Sequence, residues 1–97
     1  MRVQLANGAQ RDFAEGLRWY RKRSDWAAEG FIEETNRAIT RLVQDPERYR
    51  QIRPNVRSLR IKRYPYSLIY LVQPGTIIIV AIAHEKRRPG YWKRRLN

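Results

Sequence analysis

Beyond Pro54 the apolar residues stop recurring at three and four positions and begin to alternate, and this change restricts the folds open to the 97-residue chain more than any other feature. Before it, Phe13, Leu17 and Tyr20 fall on one face of a helix predicted over Ala9 to Arg23. Asn7, with Gln10 three positions later, has the spacing of a capping box that would open this helix. A Ser24-Asp25 pair is suited to cap a second helix, along which Ala28, Phe31, Ile32, Thr35, Ala38, Ile39 and Leu42 repeat at helical steps until Pro46 ends it. Helices joined so closely are antiparallel neighbours, and neither stripe is wide enough to stand without a further layer beneath it.

From Arg57 to Arg63 the apolar Leu59 and Ile61 alternate with Arg60 and Lys62, the pattern of a strand with one buried and one cationic face. Tyr64-Pro65 interrupts it. Ser67 to Val72 and Thr76 to His84 are two further β-prone runs, joined by Pro74-Gly75, where proline presets φ and glycine tolerates a positive φ. The last run is apolar on both faces, which predicts a central strand with helices on one side and partial cover on the other. Arg2 to Leu5 is suited to an edge strand. The expected order is β-α-α-β-β-β, with a short helical or irregular tail from Pro89. That is an α+β fold, an N-terminal helical hairpin packed on a small antiparallel sheet, forming a single domain over residues 1–97.

The bulk properties exclude several classes of chemistry. With no cysteine and one histidine, His84, the chain has neither a disulfide framework nor a thiolate or multi-histidine metal site, so no metal and no cofactor are expected. The longest apolar run, Ile77 to Ala83, is far short of the roughly 20 residues that cross a bilayer. The opening MRVQLANG carries no signal-peptide core, so the expected setting is the cytoplasm, with no membrane partner. There is no Gly-rich phosphate loop, no nucleophile paired with a base and no sign of a small-molecule ligand.

The formal charge of +12 is distributed unevenly. Residues 1–47 are neutral overall, whereas residues 48–97 hold thirteen cationic side chains against the single carboxylate of Glu85. A field of that strength draws phosphate backbones or an acidic protein, with fast and salt-dependent association. Arg57, Arg60, Lys62 and Arg63 are expected on or beside one strand face, as a surface for such a partner. The end of the chain, Lys86, Arg87, Arg88, Tyr91, Trp92, Lys93, Arg94 and Arg95, interleaves cations with aromatics. That mixture either stacks bases while neutralising phosphates or folds its aromatics back over the sheet. His84, in period with Ile78, Val80 and Ile82, is either a half-buried strand-end histidine or an acid-base and contact residue. Trp19, Tyr20 and Trp26 are expected to pack the core and the helical hairpin, and Glu15, Glu29, Glu33 and Glu34 to be solvated helix surface.

Several pieces of the sequence together resemble the RelE/ParE family of toxins from type II toxin-antitoxin (plasmid stabilisation) systems. They are Trp19-Tyr20 near the end of the first helix, Asp45-Pro46 and Tyr49-Arg50 after the second, the Arg63-Tyr64-Pro65-Tyr66 corner, and the stretch from His84 to Trp92. The resemblance implies the same α+β fold, a bacterial or archaeal origin and an acidic protein antitoxin as partner. It also implies one of two targets. RelE-like members cleave mRNA on the ribosome without a metal, using basic side chains to activate the ribose hydroxyl, stabilise the phosphorane and protonate the leaving oxygen. ParE-like members instead poison DNA gyrase. In the mRNA-cleaving group an arginine follows the tyrosine that opens the third strand, whereas here Tyr66 is followed by Ser67, which lacks the charge and the bidentate fork. The expected function is gyrase inhibition, with ribosome-dependent cleavage of mRNA as the alternative and a non-toxic nucleic-acid-binding module as a third. For a nuclease the catalytic candidates are Arg60, Lys62 and Tyr91. Binding of target or antitoxin is expected of Arg57, Arg63, Tyr66, His84, Lys86, Arg87, Arg88 and Trp92.

Overall fold

The computed structural model describes residues 1–96. Strand β1 (Arg2–Leu5) leads into helices α1 (Asn7–Arg21) and α2 (Asp25–Gln44), followed by strands β2 (Arg50–Arg53), β3 (Val56–Arg60), β4 (Tyr66–Gln73) and β5 (Thr76–His84) and a 3₁₀ segment, Tyr91–Leu96. The strands form one sheet in the order β1-β5-β4-β3-β2. The α+β class, the helical hairpin and the edge position of β1 match the expectation. Two features of the sheet do not. β1 runs parallel to β5, because the helical hairpin returns the chain to the far edge of the sheet. The sheet is therefore mixed. The exit from α2 adds the strand β2, paired with β3 around an irregularity at Ile52; its four residues are too few to register as alternation.

Helix α1 starts differently from the expectation. Ala6 is the extended residue before it and offers no side-chain cap, while Asn7 is already helical, so Asn7 and Gln10 form no capping box. The Gln10 amide instead donates to the Leu5 carbonyl at 2.9 Å, and the Ala6 N–H donates to Ile79 O, tying the helix start to β5. Helix α2 begins as expected, the Ser24 hydroxyl accepting from Ala27 N–H.

The helices cover one face of the sheet. Between them lie Phe31, Leu42, Leu59, Ile61, Leu68, Tyr70, Ile77, Ile79 and Ile82, all buried. Gly16 permits close approach here: a Cβ would stand 3.0 Å from the Tyr66 hydroxyl and 3.1 Å from the Phe31 ring. The outer face carries Val56, Ile69, Val80 and Ala81, covered by Trp92 of the 3₁₀ segment.

Strand β5 contains a bulge. Ile69 pairs with Ala81 and Tyr70 with Ile79, which leaves Val80 as an extra residue. Ile77 and Ile79 face the helices, Val80 and Ala81 face outward, and Ile82 returns to the helix side. The expected period linking His84 to Ile78 and Val80 therefore fails; the histidine shares its face with Ile82 and packs edge-on against Tyr66, ring centroids 4.9 Å apart. The strand predicted over Arg57 to Arg63 ends at Arg60, where the backbone enters a tight turn with Arg63 at φ 69°.

Two tryptophans expected in the core are exposed. Trp26, 89% accessible, lies off the buried stripe of α2. Trp19, 50% accessible, is in phase with Asp12 and Gly16 but lines an open cleft, with the Arg23 guanidinium 3.6 Å above its ring. Tyr20 does pack against the core, as expected.

Candidate functional site

The chemistry-bearing side chains gather where α1 passes the end of β5. A cleft of about 620 Å³ opens there between Glu15, Trp19 and Tyr20 of α1 and Tyr66, His84, Glu85, Lys86 and Arg87 of the sheet's end. The Tyr66-His84 pairing across β4 and β5 puts both rings on the cleft wall. Burial, then the neighbouring Tyr20, Glu15 and Asp12, push the Tyr66 phenol above its ordinary range, so it enters the site as a neutral hydroxyl. His84 accepts at Nδ1 from the Lys86 N–H at 3.0 Å. Its ring is thus oriented by the backbone turn that launches Lys86 and Arg87.

Behind the cleft, Asp12 organises the tail. Only 5% accessible, it accepts from Ile82 N–H at 3.0 Å, from the Tyr91 hydroxyl at 2.9 Å, and from Arg95 through Nη1 at 2.7 Å and Nη2 at 3.1 Å. Arg95 Nη1 also donates to Val80 O. The guanidinium lies so close to α1 that a Cβ at Gly8 would stand 2.6 Å from its Nε. A carboxylate bound on both oxygens by a planar guanidinium is among the strongest charge-assisted arrangements available to side chains. Burial first, and Asp12 next, push the Tyr91 phenol up to about 12. Tyr91 is therefore a hydrogen-bond donor at neutral pH rather than a base, and the Arg87 guanidinium stacks 3.8 Å from its ring centroid.

The remaining candidates are scattered. Arg57 and Arg60 occupy opposite faces of β3, Arg57 across from Tyr70 and Arg60 across from Ser67. The expected single cationic face therefore does not exist. Arg57 donates to the Tyr49 carbonyl at 2.8 Å, helping to close the chain after α2. Arg60 pairs with Glu85 at 3.1 Å, joining the end of β3 to the end of β5. Lys62 and Arg63 lie in the β3-β4 turn, beside a separate groove against α2. Arg88 is exposed, whereas Trp92 is 7% accessible and buried on the outer face of the sheet. Of the residues singled out from sequence, the structure brings together Tyr66, His84, Lys86 and Arg87, with Arg60 reaching the rim through Glu85. It does not bring Lys62, Arg63, Arg57 or Trp92 to them.

Two buried carboxylates escaped the sequence reading. Asp12 is no part of the sequence expectation, and Glu34, expected on solvated helix surface, is 6% accessible. The available signal was phase: Asp12 recurs with Ala9 and Gly16, and Glu34 with Phe31 and Ala38, on the inward faces of their helices. Among the described residues no group of His, Cys, Asp and Glu is arranged to hold a metal ion, and no helix is long and apolar enough to cross a membrane.

Comparison with known proteins bears on the identity of the fold. A solved structure titled "Chromosomal ParDE TA system from P. aeruginosa" superposes with a TM-score of 0.75, covering 87% of this chain and 95% of that one at 20% identity. No curated protein matches the sequence. The sequence profile described as "ParE toxin of type II toxin-antitoxin system, parDE" matches residues 3–89, from β1 through β5 to the start of the tail, and the chain therefore belongs to the ParE toxin family.

Proposed function

We propose that this chain inhibits DNA gyrase by binding it, without catalysing a reaction of its own, and that an acidic antitoxin holds it inactive in the cytoplasm. The observation that carries this reading is the dispersal of the residues a nuclease would use. Metal-independent cleavage of RNA needs a base, a charge stabiliser and an acid within reach of one phosphate. Arg60 is engaged by Glu85, Tyr91 donates to Asp12, and Lys62 borders a different groove. Ser67 supplies no cation where nuclease members carry an arginine. The exposed charge of Lys86 and Arg87 beside the aromatic cleft is suited to a protein surface, and the net charge of +12 to an acidic antitoxin.

The test is induction of the chain alone in a bacterium, with plasmid topology and mRNA integrity followed in one culture. Growth arrest with gyrase-linked DNA breaks and intact mRNA is the expected result, and co-expression of a short acidic protein encoded beside the gene should restore growth. Ribosome-dependent mRNA cuts that precede DNA damage would overturn the reading. Nucleic-acid binding without growth arrest would overturn toxicity itself.

A further inference from the structure

The cleft between α1 and the ends of β4 and β5 holds about 620 Å³, within the roughly 300–1,000 Å³ of concave ligand sites. Its walls are largely aromatic: Trp19 and Tyr20 stand on the α1 side, Tyr66 and His84 on the sheet side. Trp19 is half exposed, whereas Tyr66 is 8% exposed. The rings meet edge to face, Trp19 and Tyr20 at 84° with centroids 5.0 Å apart, Tyr66 and His84 at 86°. Charge is divided between the walls. Glu15 lies on α1, and the exposed Lys86 and Arg87 lie on the turn after β5. Glu85 beside them is already paired with Arg60 at 3.1 Å.

We infer that this cleft is the anchor point for the target protein: it receives one aromatic side chain, and a carboxylate next to that side chain seats against Lys86 and Arg87. An apolar anchor that fills a pocket ringed by polar groups carries much of the energy of a protein interface. An incoming ring can pack offset or edge-on against rings already set at right angles, which favours an aromatic over an aliphatic side chain. The cations on the turn favour an anion beside that ring. Glu15 and Glu85 would repel a run of acidic residues, so the match is a single carboxylate and not the polyacidic segment of an antitoxin. A nucleic acid fits less well, because the same carboxylates would face its phosphates. One face of Trp19 already carries the Arg23 guanidinium at 3.6 Å, and rings at right angles offer no parallel pair to sandwich a base. The inference rests on the reading of the chain as a protein-binding toxin and names the chemistry of the segment it binds.

The three tryptophan indole N–H resonances of the purified, ¹⁵N-labelled chain serve as reporters: Trp19 in the cleft, Trp26 exposed away from it and Trp92 buried on the outer face of the sheet. The probe is the blocked dipeptide N-acetyl-Phe-Glu-amide, added at constant ionic strength, with the Phe-Lys and Ala-Glu dipeptides and adenosine monophosphate in parallel. The expected result is a saturable shift of Trp19 with a Kd on the order of 1 mM, and no saturable shift of Trp26. Ala-Glu should bind about tenfold more weakly and Phe-Lys about threefold. Lys86→Gln, at an exposed position, should weaken Phe-Glu binding about threefold with no loss for Phe-Lys, and should reduce inhibition of gyrase supercoiling by the chain about threefold. Absence of saturation, an equal response to Ala-Glu or Phe-Lys, tighter binding of adenosine monophosphate, or unchanged gyrase inhibition in Lys86→Gln would overturn the assignment. A wild-type chain that binds Phe-Glu as expected but leaves gyrase active would overturn the choice of target and uphold the chemistry of the cleft.

Discussion

The molecule treats its two buried carboxylates in opposite ways. Asp12 lies under the tail with both oxygens engaged by Arg95 and further bonds from Tyr91 and Ile82, all within a nearly dry setting. Glu34 sits at the edge of an open groove, beside cations that are 65% and 83% exposed at the side chain. The difference teaches where charge holds the fold together and where it is left available. Removing one partner of a desolvated, fully bonded ion pair strands a buried charge and is costly, whereas an exposed pair competes with water and salt and its loss is cheap.

The largest effect is expected from removing the saturated carboxylate. Asp12→Ala leaves the Arg95 guanidinium half-buried without its counter-ion and frees the tail that carries Trp92. The expected loss is about 3–5 kcal/mol in urea unfolding, with a rise in Trp92 solvent exposure. A loss near that of an exposed pair would remove the distinction between the two sites.

Tyr91→Phe should cost about 1.5 kcal/mol at neutral pH, by deleting one charge-assisted bond to Asp12. It also alters the alkaline profile. The folded phenol is raised to about 12 from an ordinary value of 10, so the unfolded chain loses its proton first. The stabilising contribution is fully present below pH 10 and is lost as pH rises through 12. Tyr70, pushed up to about 12 chiefly by burial, behaves alike. Unfolding curves between pH 9 and pH 12 should therefore flatten in part in Tyr91→Phe, with Tyr70 and the phenols of Tyr20, Tyr64 and Tyr66, also raised by burial, supplying the remainder.

Glu34→Gln sharpens the comparison from the open side. Stability should change by at most about 1 kcal/mol, because the partners Arg37 and Arg63 are exposed and stay solvated when the charge is removed. Smallest of all, Arg60→Ala breaks a pair exposed on both partners and is expected to cost under about 0.5 kcal/mol. If toxicity also survives in Arg60→Ala, growth arrest does not require that cation.

Much of the fold was legible because its signals are local. Ser24 at the start of α2, the alternation along β3 and the Pro74-Gly75 turn each lie within a few residues of the element they determine, with Gly75 at φ 70° as that turn requires. The site was legible only as an inventory. Tyr66, His84, Lys86 and Arg87 could be named, but the single face assigned to Arg57, Arg60, Lys62 and Arg63 ignored the alternation that separates neighbours on a strand and the turn that ends it after Arg60. A single extra residue, Val80, reversed the expected facing of the strand beyond it.

The sequence by itself determined the layers, the central place of β5 and the concentration of charge in the second half, since periodicity, turn chemistry and composition are properties of neighbours along a chain. Only the tertiary structure decided that Asp12 would receive Arg95 from 83 positions away, that β1 would lie parallel to β5, and that Glu34 would be buried beside the β3-β4 turn. Each depends on which surfaces are desolvated when the tail and the β3-β4 turn close over the sheet and helices. The worth of a charge is set by that desolvation, and a linear sequence does not record it.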